Sequence, residues 1–341
     1  MLHIVPRCCT IVYHIFVSGP AETNPPPPQD DPAASLATGF ASRADISARS
    51  VLVTIFGDSI VPLGGEIWLR QLIKLCAPFQ FSERLLRTSM FRLNKDGWFD
   101  VERVGRQSVY RLSQWAHCEF ADAERRIYHR PTTTWDQQWT LVFVSMTVGD
   151  KAERDIAIAG LEQAGFRQIT SGVMATPSAN PDQANTILSR LGIEPQVPVA
   201  VATFDNISTL VQATIANDTF TVEPATSRYR EFIDRHSQQN DTVEASINDE
   251  QAFVLRTIAM HDFRRARLVD PDLPAELVPR RWNRDQAFTL AVKLHQATHA
   301  KSTRWVRRFI ANTANSNDQQ GHQSPTSCHR HQVTMAGRLQ R

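Results

Sequence analysis

The spacing of apolar positions changes period several times along the chain, and each change marks an element. Leu69, Leu72, Ile73 and Cys76 recur at i, i+3, i+4, i+7 and predict a helix from Glu66, just after Gly64-Gly65, to about Cys76, with Pro78 ending it. Ahead of it, Arg49 to Phe56 is read as a helix, although SVLVTIF is rich in β-branched residues and alone would favour a strand. A third helix starts at Ser82, an N-cap with Glu83 beside the positive helix end. Its Leu86, Met90 and Leu93 form one apolar face at i, i+4, i+7. At about 100° per residue, Arg84, Arg87, Thr88, Phe91 and Lys95 lie opposite, with Arg92 beside them. Asp96-Gly97 breaks the helix. Trp98 to Arg103 and Gln107 to Leu112 then read as a hairpin across Val104-Gly105-Arg106.

A connecting helix is predicted from Ser113 to Tyr128 and a linker from Thr132 to Gln138. Trp139 to Met146 reads as a buried strand, Arg154 to Ala164 as a helix closed by Gly165, and Phe166 to Thr170 and Val173 to Thr176 as short strands. Asn180 caps a helix with Pro181 in its first turn, ending near Gly192, and Val197 to Thr203 is the last strand. The order βαββαβ is ferredoxin-like. Beyond Asp205 the pattern is helical, at Thr226 to Ser237, Asp249 to Leu268 and Arg284 to Arg308. A turn at Asp270-Pro271-Asp272-Leu273-Pro274 separates the last two, because proline cannot continue a helix.

Three helices followed by a hairpin give a winged helix-turn-helix. A helix with an apolar back and an arginine front fits the major groove, where arginine meets guanine bidentately and threonine touches a base edge or phosphate. A wing tipped with glycine and arginine suits the backbone or the minor groove. Charge supports this placement. From Gln80 to Leu112 seven basic residues (Arg84, Arg87, Arg92, Lys95, Arg103, Arg106, Arg111) face four acidic ones (Glu83, Asp96, Asp100, Glu102), which leaves +3, against +2 for the whole chain. The expected DNA contacts are Ser82, Arg84, Arg87, Thr88, Arg92, Lys95, Gly105 and Arg106.

The fold class is therefore α+β and multidomain. The expected division is an extension over 1–47, the winged helix over 48–130, the ferredoxin-like domain over 135–204, a helical domain over 205–310 and a tail over 311–341. Thr10 to Val17 is apolar but too short to span a bilayer, and Pro25 to Pro28 sits in a linker-like stretch. No membrane partner is expected, and the five cysteines, scattered without a C-x-x-C pair, fit a reducing cytoplasm and argue against a disulfide framework or a zinc finger.

The stretches GGEIWLRQLIKLCAPF, SERLLRTSMFRLNKDGW, GRQSVYRLS, AERRIY and RTIAMHDFRRARLVDPDLPAELVPRRW together resemble the PaaX family of phenylacetate-degradation repressors. The likeness runs from about Arg49 to Phe309. The Pro-rich extension, the His-rich tail and Arg280-Arg281 before Trp282 lie outside the family pattern. The resemblance implies a dimeric repressor of an aromatic-acid catabolic operon, bound to double-stranded operator DNA. It also implies release by phenylacetyl-CoA or a related aryl-CoA thioester, a Cas2-like central domain and a helical carboxy-terminal domain. No cofactor is expected.

A coenzyme A tail needs cations for its phosphates, and His261, Arg264, Arg265 and Arg267 stand ready on one predicted helix. The same four residues also suit an ion-pair cluster with Asp262, Asp270 or Asp272, the commoner use of such a run. An enzyme is not expected. A Cas2-type nuclease carries an aspartate at the end of its first strand, whereas here the strand ends Val144-Ser145-Met146 and the next carboxylate is Asp150. The two rivals are a divergent metal nuclease on the central domain and a constitutive DNA-binding protein without effector. Cys328, His329 and His331, with His322 upstream, form only a loose soft-ligand cluster, and no metal is expected.

Overall fold

The computed structural model describes residues 37, 39–128, 135–144, 151–178, 180–192, 197–205, 207–237, 247–279 and 281–314. Helix α1 (Ala48–Ile55) is capped by Ser47 and Ser50 in a reciprocal capping box, and all of it but Arg49 is buried. Packing on every side overrides the strand preference of SVLVTIF. The helix continues through a π turn (Phe56–Ile60) and a 3₁₀ turn (Val61–Leu63) into Gly64 and Gly65, both left-handed at φ 117° and 75°.

The expected helix from Glu66 is shorter than its pattern. Glu66–Trp68 is a strand, β1, and helix α2 is Leu69–Leu75. The two glycines aim the chain along the hairpin, where Ile67 pairs with Tyr110 and Trp68 with Val109. Ladder bonds plus burial of Ile67 and Trp68 outcompete one more helical turn. The buried stripe shifts accordingly, to Leu72, Leu75 and Cys76, with Leu69 and Ile73 half-buried.

Helix α3 (Glu83–Lys95), strand β2 (Phe99–Val104), strand β3 (Gln107–Leu112) and helix α4 (Gln114–Tyr128) follow as expected. The sheet order is β1-β3-β2, all antiparallel.

Strand β4 (Gln138–Val142), helix α5 (Lys151–Gln163), strands β5 (Arg167–Thr170) and β6 (Val173–Thr176), helix α6 (Pro181–Arg190) and strand β7 (Val199–Thr203) form the central sheet. Its order β5-β6-β4-β7, antiparallel throughout, is the ferredoxin-like arrangement. One face packs Val142, Phe166 and Met174 against Ala157, Leu161, Ala184 and Leu188. On the other, Trp139 and Ala175 pack with Ala216 and Phe220 of helix α7 (Thr209–Phe220) and with Leu273 and Leu277. The Trp139 indole donates to Gln212 at 3.0 Å.

Helices α8 (Glu223–His236), α9 (Asp249–Arg267) and α10 (Arg284–Ala314) complete the chain. Helix α10 runs past the expected tail boundary at 310. Helix α9 is buried from Ala252 through Arg267, although it carries Arg256, His261, Asp262, Arg264, Arg265 and Arg267. The described residues form two compact units. One comprises 135–227 with 269–283, the other 37–128 with 228–268 and 284–314. The helical stretch 205–310 is thus shared out: α7 and 269–283 complete the sheet unit, while α9 and α10 complete the winged-helix unit. Folding also begins before residue 47, since Ala37, Phe40 and Ile46 are buried and Phe40 packs on Phe79 and His261.

Candidate nucleic-acid interface

Helix α3 separates its two faces cleanly. Leu86, Ser89, Met90 and Leu93 are buried, while Arg84, Arg87, Thr88, Phe91, Arg92 and Lys95 are exposed. Ser82 spends its side chain on the cap, accepting from the Leu85 amide at 3.2 Å. Arg87 is tied to Glu83 one turn earlier, Nε to Oε1 at 2.8 Å, an exposed pair worth little by itself. The Thr88 hydroxyl donates to the Arg84 carbonyl at 2.8 Å. Among the described residues Arg84, Arg92 and Lys95 have no acidic partner, so their charge is available to an external anion.

The hairpin carries the second part. β2 and β3 pair in register from Phe99↔Leu112 to Val104↔Gln107, leaving Gly105 and Arg106 as a two-residue turn. Gly105 sits at φ 62° with open space where a Cβ would stand, so glycine is chosen for the backbone and not for lack of room. Arg103 and Arg106 are exposed and, among the described residues, unpaired. Arg111 is different: it bridges Glu66 at 2.5 Å and Glu102 at 2.6 Å and so stitches β1 and β2 to β3. Tyr110 lies on β3 and packs its ring edge-on against Phe99. Burial raises its phenol, and Arg87 and Arg103 lie near enough to oppose the rise.

The other expected cluster is internal. Burial lowers the His261 imidazole to about 3, so it is neutral at pH 7. Its Nδ1 lies 3.0 Å from Thr54 Oγ1, whose own proton goes to the Ser50 carbonyl, so Thr54 accepts from Nδ1–H. Arg264 and Arg267 are 3% and 1% exposed. Arg265 pairs with Asp45, and Arg43 grips Asp262 with two bonds of 2.9 Å. His236 also meets Asp262, at 3.1 Å. Burial raises the Asp262 carboxyl, but His236 and Arg43 outweigh it and hold the group far below the usual range. Of the four expected effector residues, Arg265 lines a pocket of about 230 Å³ together with Arg43, Asp45, Arg228, Glu231, Arg235 and Asp262. His261, Arg264 and Arg267 are interior residues, and the ion pair that Arg265 makes is with Asp45, not with the Asp262, Asp270 or Asp272 expected from the sequence.

Two features were missed in the sequence. Arg70 and Lys74, one turn apart, are exposed on α2, which packs against α3, and they add cations beside it. Their spacing is legible, but only the shortened α2 shows which side faces out. Phe91 was placed on the outer face without a role, and it is 65% exposed. Among the described residues no helix is long and apolar enough to cross a membrane, and no cluster of His, Cys, Asp or Glu is placed to hold a metal. Asp150 and the Cys328, His329, His331 and His322 group lie outside the described residues.

Comparison with known proteins places this geometry in context. Residues 47–116 match the family described as PaaX-like protein, 132–213 the PaaX protein central Cas2-like domain, and 220–308 the PaaX-like protein C-terminal domain. A curated relative, the transcriptional repressor PaaX of Escherichia coli strain K12, is 31% identical over 261 residues, covering 74% of this chain and 80% of the relative. A solved structure, an uncharacterized protein from Mycobacterium tuberculosis, is 21% identical at a TM-score of 0.45, covering 78% of this chain and 99% of its own.

Proposed function

Because the chain belongs to the PaaX family, we propose that it is a transcriptional repressor that reads double-stranded operator DNA with α3 and steadies it with the β2–β3 wing. The observation that carries this reading is the outer face of α3: Arg84, Arg92 and Lys95 stand exposed and without acidic partners, on a helix whose opposite face is wholly buried. Arginines in such a row meet guanine edges and phosphates, and Arg106 at the wing tip extends the contact along the duplex. Arg87 joins them by exchanging Glu83 for a base or phosphate.

Two-fold related half-sites require two copies, so the active form is a homodimer in the cytoplasm. Release is assigned to an aryl-CoA thioester of the phenylacetyl-CoA type. Its phosphates suit the arginine-lined pocket at Arg43, Arg228, Arg235 and Arg265, while the charged lining offers nothing to its aryl group. Binding there would exchange protein carboxylates for phosphate around Asp45 and Asp262 and shift the dimer toward a geometry that no longer spans successive grooves. One specific observation keeps a second reading open, a repressor without an effector: three of the four expected ligand residues are interior.

Fluorescence anisotropy with DNA from upstream of the gene tests both parts. Specific binding lost on adding phenylacetyl-CoA or a related thioester supports the whole proposal. Specific binding indifferent to every thioester leaves the repressor and removes the effector. Binding no better than to random DNA at moderate salt overturns the repressor.

A further inference from the structure

Phe91 is out of place in the fold that holds it. The apolar face of α3 is complete without it, since Leu86, Met90 and Leu93 are all buried. Its ring is 65% exposed, and among the described residues it stacks on no other ring. Lone exposed apolar residues are common on protein surfaces, so exposure alone decides nothing. Position does. Phe91 follows Arg87 by four residues and Thr88 by three, precedes Lys95 by four and adjoins Arg92, so the ring rises from the middle of a cationic surface. That surface repels a second copy of itself, which counts against self-association through this face.

Resting on the DNA-binding reading above, we infer that Phe91 is a specificity-determining residue that reads thymine by packing on its 5-methyl group in the major groove. The chemistry leaves few alternatives. Base edges there present hydrogen-bond donors and acceptors, and the thymine methyl is the apolar group among them. A phenyl ring gains nothing from a phosphate or a polar edge, yet gains by excluding water from a methyl. The arginines around it fix the register, so the ring meets one base step in each half-site.

The test separates this inference from the reading beneath it. A duplex is selected from a randomised pool with the full-length protein, and each thymine in it is replaced in turn by deoxyuridine, which deletes only the methyl. The wild-type protein should lose roughly fourfold in affinity at one thymine per half-site, the value of about 0.8 kcal/mol for one buried carbon. The Phe91→Ala variant should bind more weakly and be insensitive to uracil at that position. Phe91→Leu should keep a reduced uracil penalty. Melting temperatures of both variants should match the wild type, because the ring is not in the core. If the wild-type protein selects no sequence at all, the DNA reading fails. If it selects a sequence but uracil is tolerated everywhere, or penalises Phe91→Ala equally, the DNA reading stands and the inference about Phe91 is overturned. A change in oligomeric state in Phe91→Ala, measured by light scattering, would reassign the ring to self-association and overturn it too.

Discussion

Asp58, in the π turn after α1, and Arg256, in α9, form a buried ion pair within the winged-helix unit. Their side chains are 3% and 5% exposed. Arg256 Nε donates to Asp58 Oδ2 at 2.7 Å, its Nη2 donates to the Asp58 carbonyl at 3.0 Å, and Tyr128 donates its hydroxyl to Oδ1 at 3.2 Å. Arg256 Nη1 also meets His299 Nδ1 at 2.8 Å. Asp58→Ala deletes the carboxylate and strands a buried guanidinium, which costs about 3–5 kcal/mol. The acid–base properties give a similar order. Burial raises the Asp58 carboxyl, but Arg256 and His295 outweigh it and hold it at about 2 instead of 3.8, equivalent to roughly 2.5 kcal/mol. For a unit of this size the loss corresponds to a fall of about 6–20 °C in Tm, read by calorimetry at pH 7. Arg256→Met should cost about as much. The double variant Asp58→Leu/Arg256→Met should recover most of either loss, since a matched apolar pair carries no desolvation cost. Single variants within about 0.5 kcal/mol of wild type would refute the reasoning, as would a double variant that costs the sum of the two singles.

Other consequences are equally open to measurement. Arg87→Ala should weaken operator binding by about 1–3 kcal/mol and relax preference at one base pair, whereas Arg106→Ala should weaken all sequences alike and flatten the salt dependence by about one unit; binding isotherms at several salt concentrations distinguish them. The Asp58 carboxyl is depressed in the folded state, so its stabilisation is complete above pH 4 and is lost as pH falls through about 2. An acid titration followed by circular dichroism should show that loss below pH 4, and Asp58→Asn should remove this component. Burial pushes the Cys76 thiol up to about 12, while Cys118 is exposed. Iodoacetamide on the native protein should therefore label Cys118 and spare Cys76, as peptide mapping would show.

Period and capping alone set out much of this molecule. Leu86, Met90 and Leu93, with Ser82 ahead and Asp96-Gly97 behind, define α3 and leave only one side for its arginines, because a 3.6-residue repeat places them there whatever surrounds the helix. The same holds for Gly105 in the hairpin turn, for Asn180-Pro181 opening α6, and for the order βαββαβ. Local conformation carries these features, so they are legible without a third dimension. Tertiary structure decided the rest. Glu66–Trp68 is a strand because β3 offers it a ladder that no local rule contains. The charges of α9 look like a solvent face or a ligand site in one dimension. They are interior because their partners come from far along the chain: Asp58 for Arg256, Arg43 for Asp262, Asp45 for Arg265, Thr54 for His261. Buried charge is tolerable only when paired, and pairing across some two hundred residues leaves no periodic trace in the sequence. The division of 205–310 between two units has the same origin, since it is settled by which apolar faces α7, α9 and α10 find to cover.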